Sequence, residues 1–318
     1  MSKPNVVPMG PEQPSAFEFF ERFPDEKSAR DYMETARWPG GICCIHCGHD
    51  GVYKIRDGKV YTCKACRKQS TIRTGTVMEG SHIPVRKWLY AMYLMSVSRK
   101  GISSIQLSKE IGITQKSAWF LLGRLREACK TDGQLGGVVE ADETFIGGKE
   151  KNKHAGKKLN AGRGAVGKTA VFGVRARENG QVRAGVVDGV SGPEISKAVA
   201  ERVSQGATLY TDEHGAYKAV KGYRHSTVNH GAGQYVNGDV HTNSIESVWA
   251  VLKRGYYGIF HQWSEKHTPR YIDEFSFRLN TRTLPALDVK EESCGINVVR
   301  LLVAGMEGRR LTYKGLIA

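Results

Sequence analysis

The sequence predicts a mixed α/β domain, a sheet with helices packed on its faces, preceded by a small cysteine-pinned hairpin and a helical segment. Three observations predict it. Two Cys-x-x-Cys pairs flank a short alternating stretch with a hairpin turn in its middle. Between residues 85 and 130 the apolar residues recur at helical spacing. From residue 136 onward, apolar runs of strand length alternate with amphipathic stretches in the order strand, hairpin, helix, strand, helix.

Residues 1–16 lack any periodic apolar pattern and read as a disordered lead. Residues 17–80 hold an opening helix and the hairpin. In FEFFERFPDEKSARDYMETAR, Pro24-Asp25 opens a helix, and Trp38-Pro39-Gly40-Gly41 stops it. Cys44 and Cys47 then form one pair, Cys63 and Cys66 the other, and GVYKIRDGKVYTC alternates between them around Asp57-Gly58. Four thiolates at this spacing close a tetrahedral zinc site, which would stabilise a hairpin too small to fold on its own core. The expected module is a zinc ribbon. Cys43 and His46 sit beside and inside the first pair and stay open as substitute ligands, with the matched pairs favoured.

Residues 81–132 form the helical segment. WLYAMYLMSVSRK is apolar enough to be buried, and GISSIQLSKEIGITQKSAWFLLGRLREA reads as two short helices with Gly112 in the turn and Thr114 as N-cap. The pattern resembles a helix-turn-helix, although many helical hairpins share it. Trp119, Phe120, Leu121, Leu122 and Leu125 belong to a core, which leaves Gln115, Lys116, Arg124 and Arg126 to face a DNA groove.

The sheet domain spans 136–290, and 291–318 reads as a C-terminal tail. A strand over Val138–Ala141 leads into Asp142, and one over Thr208–Thr211 leads into Asp212. Between them lie a hairpin turning at Asn179-Gly180 and an amphipathic helix in GPEISKAVAERVSQG. HTNSIESVWAVLKRG is helical and sets Glu246 and Lys253, seven residues apart, on one face, with Arg254 beside them. The loop after Asp142 carries Lys149, Lys151, Lys153, Lys157, Lys158, Arg163 and Lys168 against Glu150. Such a run is usually a solvated face, but directly downstream of a functional carboxylate it also suits a phosphate-gripping loop.

A net charge of +15 and a pI near 9.5 point to a polyanionic partner, nucleic acid first. No apolar run approaches the roughly 18 residues of a membrane-spanning helix, and the N-terminus lacks the apolar stretch of a signal peptide. Cysteines spaced for a metal rather than for disulfides fit a reducing cytoplasm. With such a charge, Asp142, Asp212 and Glu246 acquire a chemical meaning. Phosphodiester cleavage needs an activated oxygen nucleophile and stabilisation of the departing oxygen, and two Mg²⁺ (or Mn²⁺) ions on a few carboxylates supply both. A lone Asp after a strand is more often a turn residue, so the three acids point to this chemistry only together. Asn243, one turn before Glu246, could offer a carbonyl oxygen in its place; the charged ligand is favoured for a hard cation. Glu143 and Glu213, each next to an Asp, would point to the other side of their strands. His241 is an additional candidate for contact to DNA or to a metal-bound water, against the commoner structural role of a lone His.

The stretches RWPGGICCIHCG, YTCKACRKQ, VEADETFIGGK, LYTDEHGAY, HTNSIESVWAVLKRG and RYIDEFSFRLNTR resemble those of bacterial insertion-sequence transposases of the DDE class, in the branch with an N-terminal zinc ribbon. The similarity runs from Phe17 to Arg282. It implies a ribonuclease H-like core, cleavage at transposon ends (the terminal inverted repeats), joining of the freed 3′-OH to target DNA with Mg²⁺, and a homo-oligomer in the synaptic complex. Its acids fall on Asp142, Asp212 and either Glu246 or Asn243, with Lys253 as the trailing base. One departure is Cys44-Ile45, where relatives have Cys-Pro; the four sulfurs remain. A nuclease without strand transfer, or a domesticated DNA-binding regulator, would carry a similar sequence, and the regulator would be favoured by loss of an acid, which is not seen here.

Overall fold

Asp57 and Gly58 turn at φ 54° and 74°, left-handed values that suit a tight hairpin. They join β1 (Val52–Ile55) to β2 (Val60–Cys63), paired antiparallel, and β3 (Gln69–Ser70) adds to β2. The computed structural model describes residues 15–148, 150–152, 154–159, 165–234, 236–283 and 294–318. The lead over 1–14, Lys149, Lys153 and Arg163 lie outside the described residues, as does the expected domain boundary at 290–291. The chain divides into two units, Met1–Ala128 with Pro285–Ala318, and Cys129–Leu284.

In the first unit the opening segment forms two helices rather than one, α1 (Ala16–Arg22) and α2 (Glu26–Arg37). Ser15 and Asp25 each build a capping box, so Pro24-Asp25 starts the second helix and ends the first. In α3 (Val85–Val97), Trp88, Ala91 and Met92 are fully buried. α4 (Ser104–Ile111) ends on Gly112 at φ 58°. Thr114 accepts a hydrogen bond from Ser117 N at 3.2 Å and so caps α5 (Gln115–Ala128).

The second unit is a five-stranded sheet. β4 (Val138–Ile146), β5 (Thr169–Ala176) and β6 (Val182–Val187) form an antiparallel meander, while β7 (Thr208–Thr211) and β8 (Arg224–Thr227) run parallel to β4. The spatial order is β6-β5-β4-β7-β8, a ribonuclease H-like arrangement with β4 in the centre. Alternation along the strands separates two cores. Val139, Ala141, Phe172 and Val174 pack with α6 (Gly192–Arg202). Ile146, Val171 and Val182 pack with α7 (Asn243–Gly255) and α8 (Thr268–Thr283). Asn280 of α8 exchanges two hydrogen bonds with the backbone of Val182, at 2.7 and 3.0 Å, and so occupies part of the β6 edge.

The segment expected as a tail is instead part of the first unit's core. It forms α9 (Cys294–Gly305) and α10 (Tyr313–Ile317), with Val298, Val299, Leu302, Val303 and Leu316 buried. Gly308 N donates to Gly75 O at 2.9 Å, and Arg37 pairs with Glu307 at 3.3 Å. A Cβ on Gly305 would collide with the carbonyl of Ala128, so glycine there permits the close approach of α9 to the end of α5.

Candidate active site

The four expected cysteines converge. Their sulfurs all lie within 4.8 Å of one another, with Cys44–Cys66 at 3.6 Å and Cys47–Cys63 at 3.7 Å. A tetrahedron of zinc–sulfur bonds of about 2.3 Å has edges of about 3.8 Å, so the residues fit the ion. Cys66 N donates to the Cys63 sulfur at 3.4 Å and is the largest cause holding that thiol down at about 6. His46 N donates to Cys44 in the same way. Cys43 is not in the cluster, and the His46 ring turns to the Gln69 carbonyl at 3.3 Å. Both substitutes are therefore set aside.

In the second unit, β4 and β7 pair with Val138 opposite Thr208 and Glu140 opposite Tyr210. Carried on by two residues, that register sets Asp142 beside Asp212, just past the end of β7. Asp142 itself lies inside β4 rather than at a strand end. β5 pairs with β4 as far as Ile146, whereas β7 stops at Thr211. Burial first, and then the charges of Glu143 and Asp212, raise Asp142 to about 7. Trp249 of α7 donates its indole N–H to Asp142 Oδ2 at 2.9 Å. The ring reaches it because Gly173, opposite Asp142 on β5, has no side chain; a Cβ there would strike the indole. Asp212 Oδ1 accepts from His214 N at 3.0 Å.

Glu246 lies in the first turn of α7, one turn before Trp249, with its side chain 47% exposed. It accepts from Thr242 Oγ1 at 2.9 Å and lies 3.9 Å from His230 Nε2. Asn243, the first residue of the helix, is exposed. The aspartates are thus brought together, while the three acids stand further apart than the cysteine cluster does.

Sequence reasoning missed what fixes α7 against the sheet. Glu140, fully buried on β4 and on the same side as Asp142, accepts from Ser244 N at 2.9 Å and Ile245 N at 3.1 Å. Its other oxygen pairs with Arg177 at 2.7 Å, and Arg177 also donates to the carbonyls of Asp239 and His241. A carboxylate at a helix N-terminus complements the helix dipole, so Glu140 ties the Glu246 helix to the Asp142 strand. The signal was present in VVEAD, where an acid interrupts an apolar strand two residues before Asp142. His241 Nδ1 faces Glu140 at 3.2 Å.

On the opposite side of β4, Glu143 accepts from Tyr217 Oη at 2.6 Å and lies 3.2 Å from His214 Nδ1. Burial raises both the Glu143 carboxyl and the Tyr217 hydroxyl above their ordinary values. Glu213 accepts from His230 N and Gly231 N, each at 2.8 Å, and so anchors the loop that carries His230 toward Glu246.

Residues 134–280 match the ISXO2-like transposase domain family, and residues 24–69 match the transposase zinc-ribbon domain. A relative from Halobacterium salinarum, described as an uncharacterized protein in transposable element ISH50, is 31% identical over 247 residues, covering 73% of this chain and 83% of its own. The chain belongs to the ISXO2-like transposases. The zinc-ribbon match coincides with the cysteine cluster, and the domain match runs from before β4 into α8.

Among the cations expected to face DNA, the transposase exposes Lys116, Lys158, Lys253 and Arg254. Lys116 lies over the Tyr313 ring at 4.7 Å. Arg124 does not face solvent. It is 8% exposed, donates to the Leu311 carbonyl at 3.1 Å and covers the Phe120 ring at 4.1 Å. Arg126 is 2% exposed. Arg124 is enclosed because the stretch around Leu311, between α9 and α10, lies over its side of α5. Lys151 and Lys157 fall in two short 3₁₀ turns, Glu150–Asn152 and Ala155–Lys157. None of the helices in the described residues is long and apolar enough to cross a membrane.

Proposed function

We propose that this transposase binds the terminal inverted repeats of its own element, cleaves the DNA there and joins the freed 3′-OH to target DNA. The observation that carries the reading is the Asp142–Asp212 pair at the centre of the sheet, with Asp142 held near 7 by burial and by its acidic neighbours. Such crowding disfavours ionisation in the free protein and is relieved by a cation, so the donor set fits Mg²⁺ or Mn²⁺. Asp142 and Asp212 would hold the ions together, and Glu246 would be the third ligand. Two bound divalent ions would supply activation of the attacking oxygen and stabilisation of the departing one.

The remaining residues position and bind. Trp249 and Glu140 keep α7 in register with β4, so Glu246 approaches from a helix whose first turn is fixed. Asn243 lies beside it as a polar contact to DNA or as the alternative ligand. Lys253 and Arg254 would meet phosphates near the cut bond, the loop with Lys149, Lys151, Lys153, Lys157 and Lys158 would grip the strand beyond it, and Lys116 would face a groove. Zinc is structural, because four thiolates leave no open position. Two DNA ends processed together require at least two active sites, hence a homo-oligomer, acting on DNA in the cytoplasm.

The test is a reaction with duplex DNA from the inverted repeats flanking the gene and a supercoiled target. Metal-dependent nicking at the repeat boundary, followed by covalent joining of a pre-cut 3′-OH end, is expected. Nicking without joining would reduce the activity to that of a nuclease, and neither reaction would overturn the reading.

A further inference from the structure

Beyond Lys253, the solvent-facing side of α7 continues into an aromatic ring that the acid chemistry does not use. Asn243, Glu246, Ala250, Lys253, Tyr257 and His261 recur at spacings of three and four residues and are all exposed, so they form one stripe along the helix and its extension. Tyr257 is 57% exposed. Its ring therefore offers a π face to whatever lies along this side of the helix.

The backbone at this point is unusual. Tyr256–Phe260 form a π-helical turn, a rare insertion that occurs frequently at functional sites. His261 ends it at φ 58°, with Nδ1 3.1 Å from the Tyr257 carbonyl. A non-glycine residue in this region is strained and persists only where its surroundings over-determine it. Here they do. Tyr256, Phe260, Trp263 and Tyr271 interlock underneath, with Tyr256–Trp263 centroids 4.5 Å apart, Phe260–Tyr271 4.9 Å and Trp263–Tyr271 stacked at 4.2 Å. The buried half of the turn is clamped while Tyr257 points outward. Its ring meets that of Tyr256 at 81° and 5.0 Å. The space beside it is open, since a Cβ built on Gly258 would meet nothing within 4 Å.

We propose that Tyr257, flanked by Lys253 and Arg254, is a stacking platform for an unpaired nucleobase at the DNA end held on this helix. The inference rests on reading Glu246 and its partners as a DNA-cutting site. An intact duplex presents phosphates and groove edges to a convex helix, and two cations are enough for that. An exposed π face next to two phosphate-binding cations suits a base that has left the stack, and such stacking tolerates any base. A strand end at a cut site is where bases are most easily freed.

The experiment measures equilibrium binding by fluorescence anisotropy, with the full zinc-loaded chain in Ca²⁺ buffer. The DNAs are a duplex of the inverted-repeat sequence with a short single-stranded tail, the same duplex with an abasic tail, and a blunt duplex. The wild type should prefer the base-bearing tail over the abasic one by roughly 5- to 100-fold. Tyr257→Ala should remove that preference and leave blunt-duplex affinity unchanged, whereas Tyr257→Phe should keep it. A wild type that does not distinguish bases from abasic sites overturns the proposal. So does a preference that survives Tyr257→Ala, a Tyr257→Phe variant that behaves like Tyr257→Ala, or an equal loss on all three DNAs. Metal-dependent cutting is measured separately on the wild type, so failure of the cutting site and failure of the stacking platform are distinguishable.

Discussion

Asp142→Asn should make the metal-free protein more stable, the reverse of what most substitutions in a half-buried site do. The folded protein holds Asp142 near 7 against an ordinary 3.8, first through burial and then through Glu143 and Asp212. The sign follows from proton linkage. Between pH 4 and 7 the folded state binds the extra proton, so stability falls as pH rises through that window and stays low above it. At about 1.4 kcal/mol per pH unit the ionised wild type loses at most about 4 kcal/mol at pH 8. Some solvent reaches the carboxylate, and screening reduces this to the order of 2 kcal/mol. Asparagine removes the charge and can still accept the Trp249 N–H, so it recovers most of that loss. For a unit of this size the melting temperature should rise by roughly 4–8 °C at pH 8. The gain should shrink by more than half at pH 5 and vanish below pH 4. The assay is thermal unfolding without added Mg²⁺ and without a chelator, so that zinc stays in place. Added Mg²⁺ should raise the wild-type melt but not that of the variant. If Asp142→Asn melts at or below the wild type at pH 8, or gains as much at pH 4 as at pH 8, the account of the acid pair is wrong.

Cys63→Ser should unfold the ribbon and lose bound zinc, seen as metal content and as a lower melt of the first unit, while Mg²⁺-dependent stabilisation of the sheet unit survives. Neutralising Lys151, Lys153, Lys157 and Lys158 together should lower the slope of log affinity against log salt by up to about 3–4; an unchanged slope would make the loop a solvated face. Glu246→Gln should cut cleavage by about three orders of magnitude or more with DNA-end binding nearly intact, and Asn243→Ala should be milder. The reverse ranking in a nicking assay would move the third ligand to Asn243. Gly305→Ala should destabilise the first unit by roughly 1–3 kcal/mol in denaturant unfolding, because the added methyl meets the Ala128 carbonyl.

The ribbon hairpin and four of the five sheet strands were legible because their signals are local, whereas β8 (Arg224–Thr227), a short and mostly exposed edge strand, was not anticipated. Cys-x-x-Cys spacing, Asp57-Gly58 and Asn179-Gly180 turns and two-residue alternation each act over a few residues, and the structure follows them. What the sequence hid depends on long-range packing. The apolar residues of Cys294–Gly305 looked like a terminal appendage, but α9 packs in the first unit with Val298, Val299, Leu302 and Val303 buried, and Leu311 just beyond it accepts from Arg124. β4 outruns its expected end because its length is set by pairing with β5, the next strand, up to Ile146 opposite Thr169. In the site, the individual acids could be named from their neighbours in sequence. Glu140 could not be ranked with them, since its role depends on backbone N–H groups more than a hundred residues later.

The most direct measurement is the anomalous diffraction of Mn²⁺ in crystals of the transposase bound to its inverted-repeat DNA. Two peaks roughly 3.5–4 Å apart are expected. One should be shared by the Asp142 and Asp212 carboxylates, and Glu246 should be released from Thr242 to reach the other. A map with no Mn²⁺ between Asp142 and Asp212 would contradict the account.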